Sequence, residues 1–258
     1  MKGPINVDEL LRSMDKNGVE KSILLSTCER ESIDATRENL TNTATAINAA
    51  PDRLMGLAWV DPTIPGMINL AEEAITEMPF AGLKIMPDHW YVHEDKLEPF
   101  WEKMNELKAR ILFHTGILYT FEDGSKFNKP IYLEKLLHYP DINFAMAHIG
   151  WPWCDECLAV MGRMLDAAGW DRNKWQSYID ITPGPPPYIR KQAVKNAIEF
   201  CGVNRIMFGS DSFVPTDMTL ENQKNALADY RRIFDELEVS PKDQERIFSG
   251  TAKELFGK

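Results

Sequence analysis

Residues 109–116 read ARILFHTG, and residues 142–150 read INFAMAHIG. Each stretch is a short, continuous apolar run that ends in a histidine, one further residue and a glycine. Apolar runs that do not alternate with polar residues are typical of strands buried on both faces, as in a parallel sheet. The two stretches therefore predict two buried strands with a histidine, His114 or His148, at the carboxyl end.

Five similar runs occur elsewhere, and all seven recur at a regular interval. They begin at residues 21, 54, 81, 109, 142, 175 and 204, so successive starts lie 27 to 33 residues apart. This interval accommodates one strand, one helix and two loops. The alternation predicts an α/β fold, a (β/α)8 barrel of the TIM type that forms a single domain over residues 1–258. No glycine-rich nucleotide-binding motif follows the early runs, which disfavours a nucleotide-binding sheet.

The first helix has clear boundaries. Asn6 and Glu9 form a capping pair, Gly18 is a stop signal, and apolar residues recur between them at helical spacing: Val7, Leu10, Leu11 and Met14. Because this helix precedes the first apolar run, the chain has seven predicted strands where a closed barrel needs eight. We therefore expect strand one to be missing or atypical, with a homodimer as one way to cover the unpaired strand edges.

The charge balance restricts the partners of the protein. The chain has 29 Lys and Arg against 39 Asp and Glu, a net charge of −10 that repels the phosphate backbone of nucleic acids. It has no apolar run of the ~18 residues that a membrane helix needs, and no apolar signal segment at its start. Its four cysteines are too few for a disulfide framework. We expect a cytoplasmic protein that binds a small-molecule substrate and neither nucleic acid nor membrane.

Polar residues lie near the carboxyl ends of the predicted strands, where barrel enzymes place their active sites. His114 and His148 end the fourth and fifth runs, Asp180 lies late in the sixth, Asp211 ends the seventh, and Lys84 lies inside the third. Neutral imidazole and carboxylate groups are ligands for Zn, Mn or Fe, and water bound to such a metal loses its proton near pH 7. The pattern predicts a metal centre built from the two histidines and Asp211, with Asp180 as a buried hydrogen-bonding residue.

Lys84 and three tryptophans leave several interpretations open. A lysine inside a buried strand can form a Schiff base, hold a substrate carboxylate, or bridge metals after carboxylation. Trp90, Trp151 and Trp153 follow strands on the catalytic side, where they either wall a pocket for a flat substrate or simply pack. We expect Lys84 and Trp151 to contact the substrate.

Two other motifs favour a structural interpretation. His89 and His93 are four residues apart, but the stretch around them indicates a loop and the start of a helix. Cys154 and Cys157 form a CxxC motif, yet a zinc ribbon needs a second such pair. We expect neither pair to bind a metal, and we expect the cysteines to be half-buried thiols at a helix start.

Six short stretches resemble one enzyme family. In order they are GLKIM from Gly82, ILFHTG from Ile111, AHIGWPW from Ala147, YIDIT from Tyr178, IMFGSD from Ile206 and IFSGTAKELF from Ile247. Together they resemble the amidohydrolase-related metal-dependent hydrolases of the amidohydrolase superfamily, which include aminocarboxymuconate-semialdehyde decarboxylase. The resemblance covers nearly the whole chain and implies a distorted (β/α)8 barrel.

The resemblance also implies roles for individual residues. Members of this family hold a divalent metal, commonly zinc, with an HxH pair from strand one, a histidine from strand five and an aspartate from strand eight. His114 and Asp211 match the last two ligands, so the implied cofactor is Zn, with Mn as an alternative. His148 matches the histidine that polarises the substrate or activates the metal-bound water, and Asp211 would also move a proton.

The chain departs from the family pattern at two places. It contains no HxH, and Met86 stands where the family often has a histidine after GLKI. A shortened chain, a decayed site or substitute ligands would each explain the missing pair. We expect a chain shortened at its N-terminus, because the remaining motifs are intact.

The leading expectation for function is a metal-dependent hydrolase that uses a metal-activated water on a small amide, ester, lactone or carboxylate-bearing substrate. A nonoxidative decarboxylase of the same family, which is a carbon–carbon lyase, is the first alternative. A metal-free Schiff-base lyase that uses Lys84, and a noncatalytic barrel that has lost its HxH ligands, are two others.

Overall fold

The computed structural model describes residues 5–30, 32–119, 123–212 and 217–257, without the side chains of residues 217–219. Seven parallel strands form one sheet in chain order, from β1 to β7. Their bounds are Ser22–Leu25, Leu54–Trp59, Gly82–Ile85, Arg110–Phe113, Asn143–Met146, Ser177–Asp180 and Ile206–Met207. Every predicted strand is therefore confirmed, and no ladder joins β7 to β1 within the described ranges.

Helices connect the strands and cover the outside of the sheet. They are α1 Val7–Asn17, α2 Ile33–Ala49, α3 Met67–Thr76, α4 Glu98–Glu106, α5 Cys154–Ala167, α6 Pro187–Cys201, α7 Asp217–Glu236, α8 Pro241–Glu245 and α9 Thr251–Phe256. Between β4 and β5 a 3-10 helix, Pro130–His138, takes the place of an α-helix. In the described part of the chain, no helix combines the length and the apolar character needed to span a membrane.

The predicted boundaries of α1 are confirmed. The side chain of Asn6 accepts a hydrogen bond of 3.2 Å from the backbone N–H of Glu9, which caps the first turn. Gly18 ends the helix in the left-handed conformation, with φ of 66°. The apolar face of the helix buries Leu10 and Met14 in the core.

Two apolar clusters show that the sheet is curled. The larger one lies between the sheet and the helices. The smaller one contains Leu57, Ala145, Tyr178 and Met207, which come from β2, β5, β6 and β7. Side chains from such distant strands meet only if the sheet wraps around them, as the wall of a barrel does. The fold is therefore an α/β barrel wall of the TIM type, with seven strands.

The C-terminal helix closes one end of this wall. Phe256 belongs to the interior cluster, and the guanidinium of Arg110, at the start of β4, donates a hydrogen bond of 3.2 Å to the carbonyl of Gly257. Lys253 pairs at 2.9 Å with Glu20, just before β1. Because these contacts lie where strands begin, α9 covers the amino ends of the strands and leaves the carboxyl ends open.

The helices that precede β1 and follow β7 contact each other. The side-chain amide of Asn17, at the end of α1, donates to the carbonyl of Leu220 at 3.2 Å and to the side chain of Gln223 at 2.8 Å. Residues 220 and 223 lie in α7. Helices α1 and α7 are thus joined by hydrogen bonds beside the two end strands, β1 and β7.

Candidate functional site

Lys84 lies on the interior face of the sheet, near the carboxyl end of β3. Leu57 belongs to the interior cluster, so Trp59, two residues further along β2, also faces inward. Trp59 is the direct partner of Lys84 across the β2–β3 ladder, which places both side chains on that face. Lys84 is 6% exposed, and burial lowers its pKa to about 8 against the opposing charges of Asp211 and Asp180. The side chain can therefore lose its proton close to neutral pH.

His114 and His148 meet at the ends of β4 and β5. Their rings lie edge to face, with centroids 4.9 Å apart. Burial, together with the charge of Lys84, holds the pKa of His114 well below its ordinary value. Burial also lowers the pKa of His148, although the carboxylates of Asp211 and Asp180 oppose this effect. At neutral pH these shifts favour the neutral imidazole on both rings, which is the form that binds a metal or accepts a proton.

The hydrogen bonds of the two rings leave nitrogen atoms available. Nε2 of His114 donates to the carbonyl of Ile117 at 3.3 Å, which leaves the lone pair on Nδ1. Nδ1 of His148 is buried and has no hydrogen-bond partner within the described ranges. A buried polar atom without a partner indicates a place where a ligand binds or a proton moves.

Asp180 is the buried hydrogen-bonding residue that the sequence predicted. It is 5% exposed and accepts hydrogen bonds from the backbone N–H of Thr182, at 2.9 Å, and from the hydroxyl of the same residue. Burial raises the pKa of its carboxyl group, whereas His148 lowers it. The two bonds hold a buried carboxyl group in place, and its charge interacts with that of His148.

Three of the six non-glycine residues with positive φ in the described part of the chain lie at the ends of β5 and β7. His148, Ile149 and Asp211 have φ values of 60°, 51° and 52°. Left-handed backbone is unfavourable for any residue other than glycine, and most of all for a β-branched residue such as Ile149. Strain of this kind persists where the surrounding structure imposes it, often at functional sites. Of the three at these strand ends, His148 and Asp211 are the residues for which the sequence predicted catalytic roles.

Glycines allow the loops around His148 to approach closely. Gly116 has φ of 101°, and a Cβ atom there would lie 2.2 Å from the carbonyl oxygen of Trp151. That carbonyl accepts a hydrogen bond of 2.9 Å from Ile117. A Cβ on Gly184 would lie 2.5 Å from the Cβ of His148. The turns after β4, β5 and β6 are thus packed against one another.

A second polar cluster lies beyond β2 and β3, and we call its members, Asp61, Asp88 and His89, the Asp-Asp-His cluster. Each residue offers one ligand atom, and these atoms lie within 4.8 Å of one another, as in no other group of His, Cys, Asp and Glu in the described ranges. Asp61 and Asp88 are buried, whereas His89 is exposed. We expected structural roles for both His89 and His93, and His93 indeed contacts aromatic rings, those of Tyr91 and Tyr132.

The sequence analysis did not single out the two aspartates of this cluster. Asp61 follows β2 by two residues and Asp88 follows β3 by three. Both aspartates therefore lie at the carboxyl end of a strand, the position that made His114 a candidate site residue. Beside them a pocket of about 290 Å³ opens between the loops after β1, β2 and β3. Its lining residues are Cys28, Glu29, Arg30, Trp59, Asp61, Met86 and Asp88.

Trp90 and the cysteines of the CxxC motif pack in the fold. Trp90 is fully buried in the large core cluster, so it packs and does not wall a pocket. Cys154 is partly buried and Cys157 fully buried at the start of α5, and all four cysteines are free thiols. The expectation of reduced cysteines at a helix start is confirmed, although Cys157 is more deeply buried than expected.

Comparisons with known proteins agree with this geometry. Residues 25–258 match the family model described as amidohydrolase. No curated protein sequence matches the chain. The fold is similar to that of 2,6-dihydroxybenzoate decarboxylase from Rhizobium, with 17% identity, a TM-score of 0.70, and coverage of 96% of this chain and 87% of that one.

Two further solved structures have the same fold. One is a probable 2-pyrone-4,6-dicarboxylic acid hydrolase from Acinetobacter baumannii, with 18% identity, a TM-score of 0.69, and coverage of 98% and 89% of the two chains. The other is a dihydroxybenzoic acid decarboxylase from Polaromonas with bound manganese and the inhibitor 2-nitroresorcinol, with 19% identity, a TM-score of 0.67, and coverage of 96% and 85%. Since the family model spans most of the chain, this protein belongs to the amidohydrolase family.

Proposed function

We propose that this protein is a metal-dependent hydrolase that acts on a small amide, ester, lactone or carboxylate-bearing substrate. One observation carries the proposal: two neutral histidine rings, His114 and His148, lie 4.9 Å apart at the open end of the barrel wall. Buried Lys84 faces the same interior, and its charge acts on both rings. Membership of the amidohydrolase family supports this reaction class.

His114 and Asp211 are the residues that would hold a divalent metal. A buried neutral imidazole and a carboxylate are donors that suit Zn and Mn. A metal bound there would polarise a carbonyl group and lower the pKa of a bound water. Catalytic metal sites use about three protein ligands. His114 and Asp211 suit a divalent metal but supply fewer ligands than that.

The remaining residues would bind the substrate and move protons. His148 presents a buried nitrogen without a partner, so it can hydrogen-bond the reacting group and take up a proton. Asp211 is exposed and can pass a proton to solvent. Lys84 places a positive charge beside the negative charge that develops in the transition state. Trp151 follows the strained turn of His148 and would contact the substrate.

Nonoxidative decarboxylation is the second candidate, and Lys84 is the observation that favours it. A buried lysine can pair with a substrate carboxylate and hold it for cleavage of a carbon–carbon bond. Two of the three solved structures described above are decarboxylases of dihydroxybenzoic acids. The manganese in one of them supports Mn as well as Zn for this chain.

One set of assays separates the candidates. Protein loaded with Zn or Mn is tested for release of carbon dioxide from a panel of hydroxybenzoic acids, and for hydrolysis of a panel of lactones, esters and amides. We expect hydrolysis that is lost in His148→Ala and Asp211→Ala. Carbon dioxide release without hydrolysis would establish the decarboxylase instead, and a borohydride-trapped adduct on Lys84 would establish the Schiff-base lyase.

A further inference from the structure

The turn after β6 closes on the carboxyl group of Asp180. The backbone N–H of Thr182 donates to Oδ1 of Asp180 at 2.9 Å, and the hydroxyl of Thr182 donates to Oδ2. Both residues are 5% exposed, and Asp180 faces the interior because it lies two residues after Tyr178, a member of the interior cluster. Buried hydrogen bonds that satisfy both oxygens of a carboxyl group form a rigid unit, so Asp180 fixes the position of Thr182.

Two further contacts hold the same turn in place. The hydroxyl of Tyr230, a buried residue of α7, donates to the carbonyl of Ile181. A Cβ atom on Gly209, just after β7, would lie 2.7 Å from the hydroxyl oxygen of Thr182, so the backbone at the end of β7 packs directly on Thr182. The turn is therefore held by β6, by α7 and by the segment that leads from β7 to Asp211.

This turn contacts His148 directly. A Cβ atom on Gly184 would lie 2.5 Å from the Cβ of His148 and 3.1 Å from its carbonyl oxygen. The ring of His148 is hydrogen-bonded to the backbone of Thr182, and this bond opposes the effect of burial on the pKa of the ring. The backbone of His148 is left-handed, with φ of 60°, which persists only where the surrounding structure imposes it. The turn after β6 is a part of the structure that does so.

The orientation of the His148 ring matters because its Nδ1 is buried without a hydrogen-bond partner in the described ranges. A neutral imidazole carries a proton on one nitrogen and a lone pair on the other. The hydrogen bond that the ring makes determines which nitrogen carries the proton. A fixed turn beside the ring therefore determines which nitrogen can take up a proton from the reacting group.

We propose that Thr182, held by Asp180, is a positioning residue that keeps the imidazole of His148 in one orientation and one tautomer. Neither Thr182 nor Asp180 contacts the substrate in this account, and both act through His148. The inference rests on the role of His148 in the function proposed above. It adds to that function the groups that prepare His148 for proton transfer.

Nitrogen-15 NMR of the histidine rings tests the inference without any substrate. The metal-free full-length chain is labelled at its five histidines, and the signals of His148 are identified by their loss in His148→Gln. The two ring nitrogens of one fixed tautomer give signals far apart, whereas exchange between two tautomers brings the signals together. We expect well-separated signals in the unmodified chain and converging signals in Thr182→Val and in Asp180→Asn.

Two variants serve as controls for the ring signals. Thr182→Ser keeps the hydroxyl group that donates to Asp180, so we expect it to retain the separated signals. Thr43→Val is the matched control, because Thr43 is 4% exposed and its hydroxyl donates at 2.9 Å to the carbonyl of Asn39 within α2. We expect no change of the His148 signals in Thr43→Val.

Turnover by the metal-loaded enzyme provides the second measurement, with the substrate that the assays above identify. We expect Thr182→Val to lower kcat by up to about 100-fold with little change in KM, because a misplaced proton acceptor affects the reaction more than binding. Metal content should stay the same, since Thr182 is not a ligand. Thr182→Ser should recover most of the lost turnover.

The two measurements separate this inference from the proposed function. His148 signals that stay unchanged in both Thr182→Val and Asp180→Asn would overturn the inference, and so would an equal change in Thr43→Val. Full turnover by Thr182→Val would overturn it as well. If the unmodified chain turns over no substrate, the proposed function fails, while the ring signals still decide whether Thr182 positions His148.

Discussion

The chemistry of the candidate site depends on two histidines whose rings stay neutral. His114 and His148 are buried beside each other, and the positive charge of Lys84 lowers the pKa of both rings. Burial of a lysine next to two histidines costs stability, and the substrate carboxylate proposed to bind Lys84 would offset that cost. The sequence indicated that the two histidines end strands and that Lys84 lies inside one, but it contained no information on their charge states.

Neutral histidines make the metal-free protein sensitive to acid. The unfolded chain binds protons on these rings near the ordinary pKa of 6.5, whereas burial lowers the pKa of both rings in the folded state. The unfolded state therefore binds more protons, and stability is lost as pH falls below that value. At pH 5 the loss reaches up to about 2 kcal/mol for each ring that stays neutral.

We expect His148→Gln to remove part of this acid sensitivity. Urea unfolding between pH 7 and 5, in the presence of a chelator, measures the dependence. His138→Gln is the control, because His138 is an exposed histidine at the end of a 3-10 helix, away from the strand ends that carry the site. A pH dependence that is the same in His148→Gln and the unmodified chain would contradict this account of the site.

At the level of elements, the loops after the strands determine where the site residues point. Strands and the caps of α1 follow from local patterns, and both were predicted from the sequence. The left-handed backbone at His148 and Ile149 was not, because contacts distant in sequence impose it. Asp61 and Asp88 were overlooked for another reason, since they belong to no sequence motif and meet only when β2 and β3 pair.

The turn after β4 provides a test of this packing. We expect Gly116→Ala to destabilise the protein, because the new Cβ would collide with the carbonyl of Trp151 in addition to the left-handed φ. Gly169→Ala is the matched control, with φ of 64° and no atom within 4 Å of the new Cβ. Urea unfolding is expected to show a loss about 1–3 kcal/mol larger for Gly116→Ala. Equal losses in the two variants would show that the turns are not tightly packed.

For the whole molecule, a seven-stranded wall must remain folded with one strand fewer than a closed barrel. The described contacts that support it are the α1–α7 hydrogen bonds of Asn17 and the C-terminal helix that fills the interior. The seven strands of the described residues were predictable, because seven apolar runs recur at a regular interval. The role of α9 was not, because its apolar residues are typical of any amphipathic helix.

Removal of the interior ring of α9 tests how far the fold depends on this helix. Phe256 is 1% exposed, and we expect Phe256→Ala to lower the free energy of unfolding by about 3–5 kcal/mol. Phe200→Ala, which removes a ring that is 47% exposed, is expected to cost much less. Urea unfolding of both variants makes the comparison. Similar small losses would mean that α9 does not support the barrel wall.

The central claim is that the open end of this wall holds a catalytic metal, and metal content tests it most directly. Elemental analysis is made on the protein as purified, and again after incubation with Zn or Mn followed by desalting, which removes weakly bound ions. We predict close to one tightly held metal per chain, lost in His114→Ala and in Asp211→Ala. A chain that retains no metal, or that retains it equally in both variants, would contradict the account.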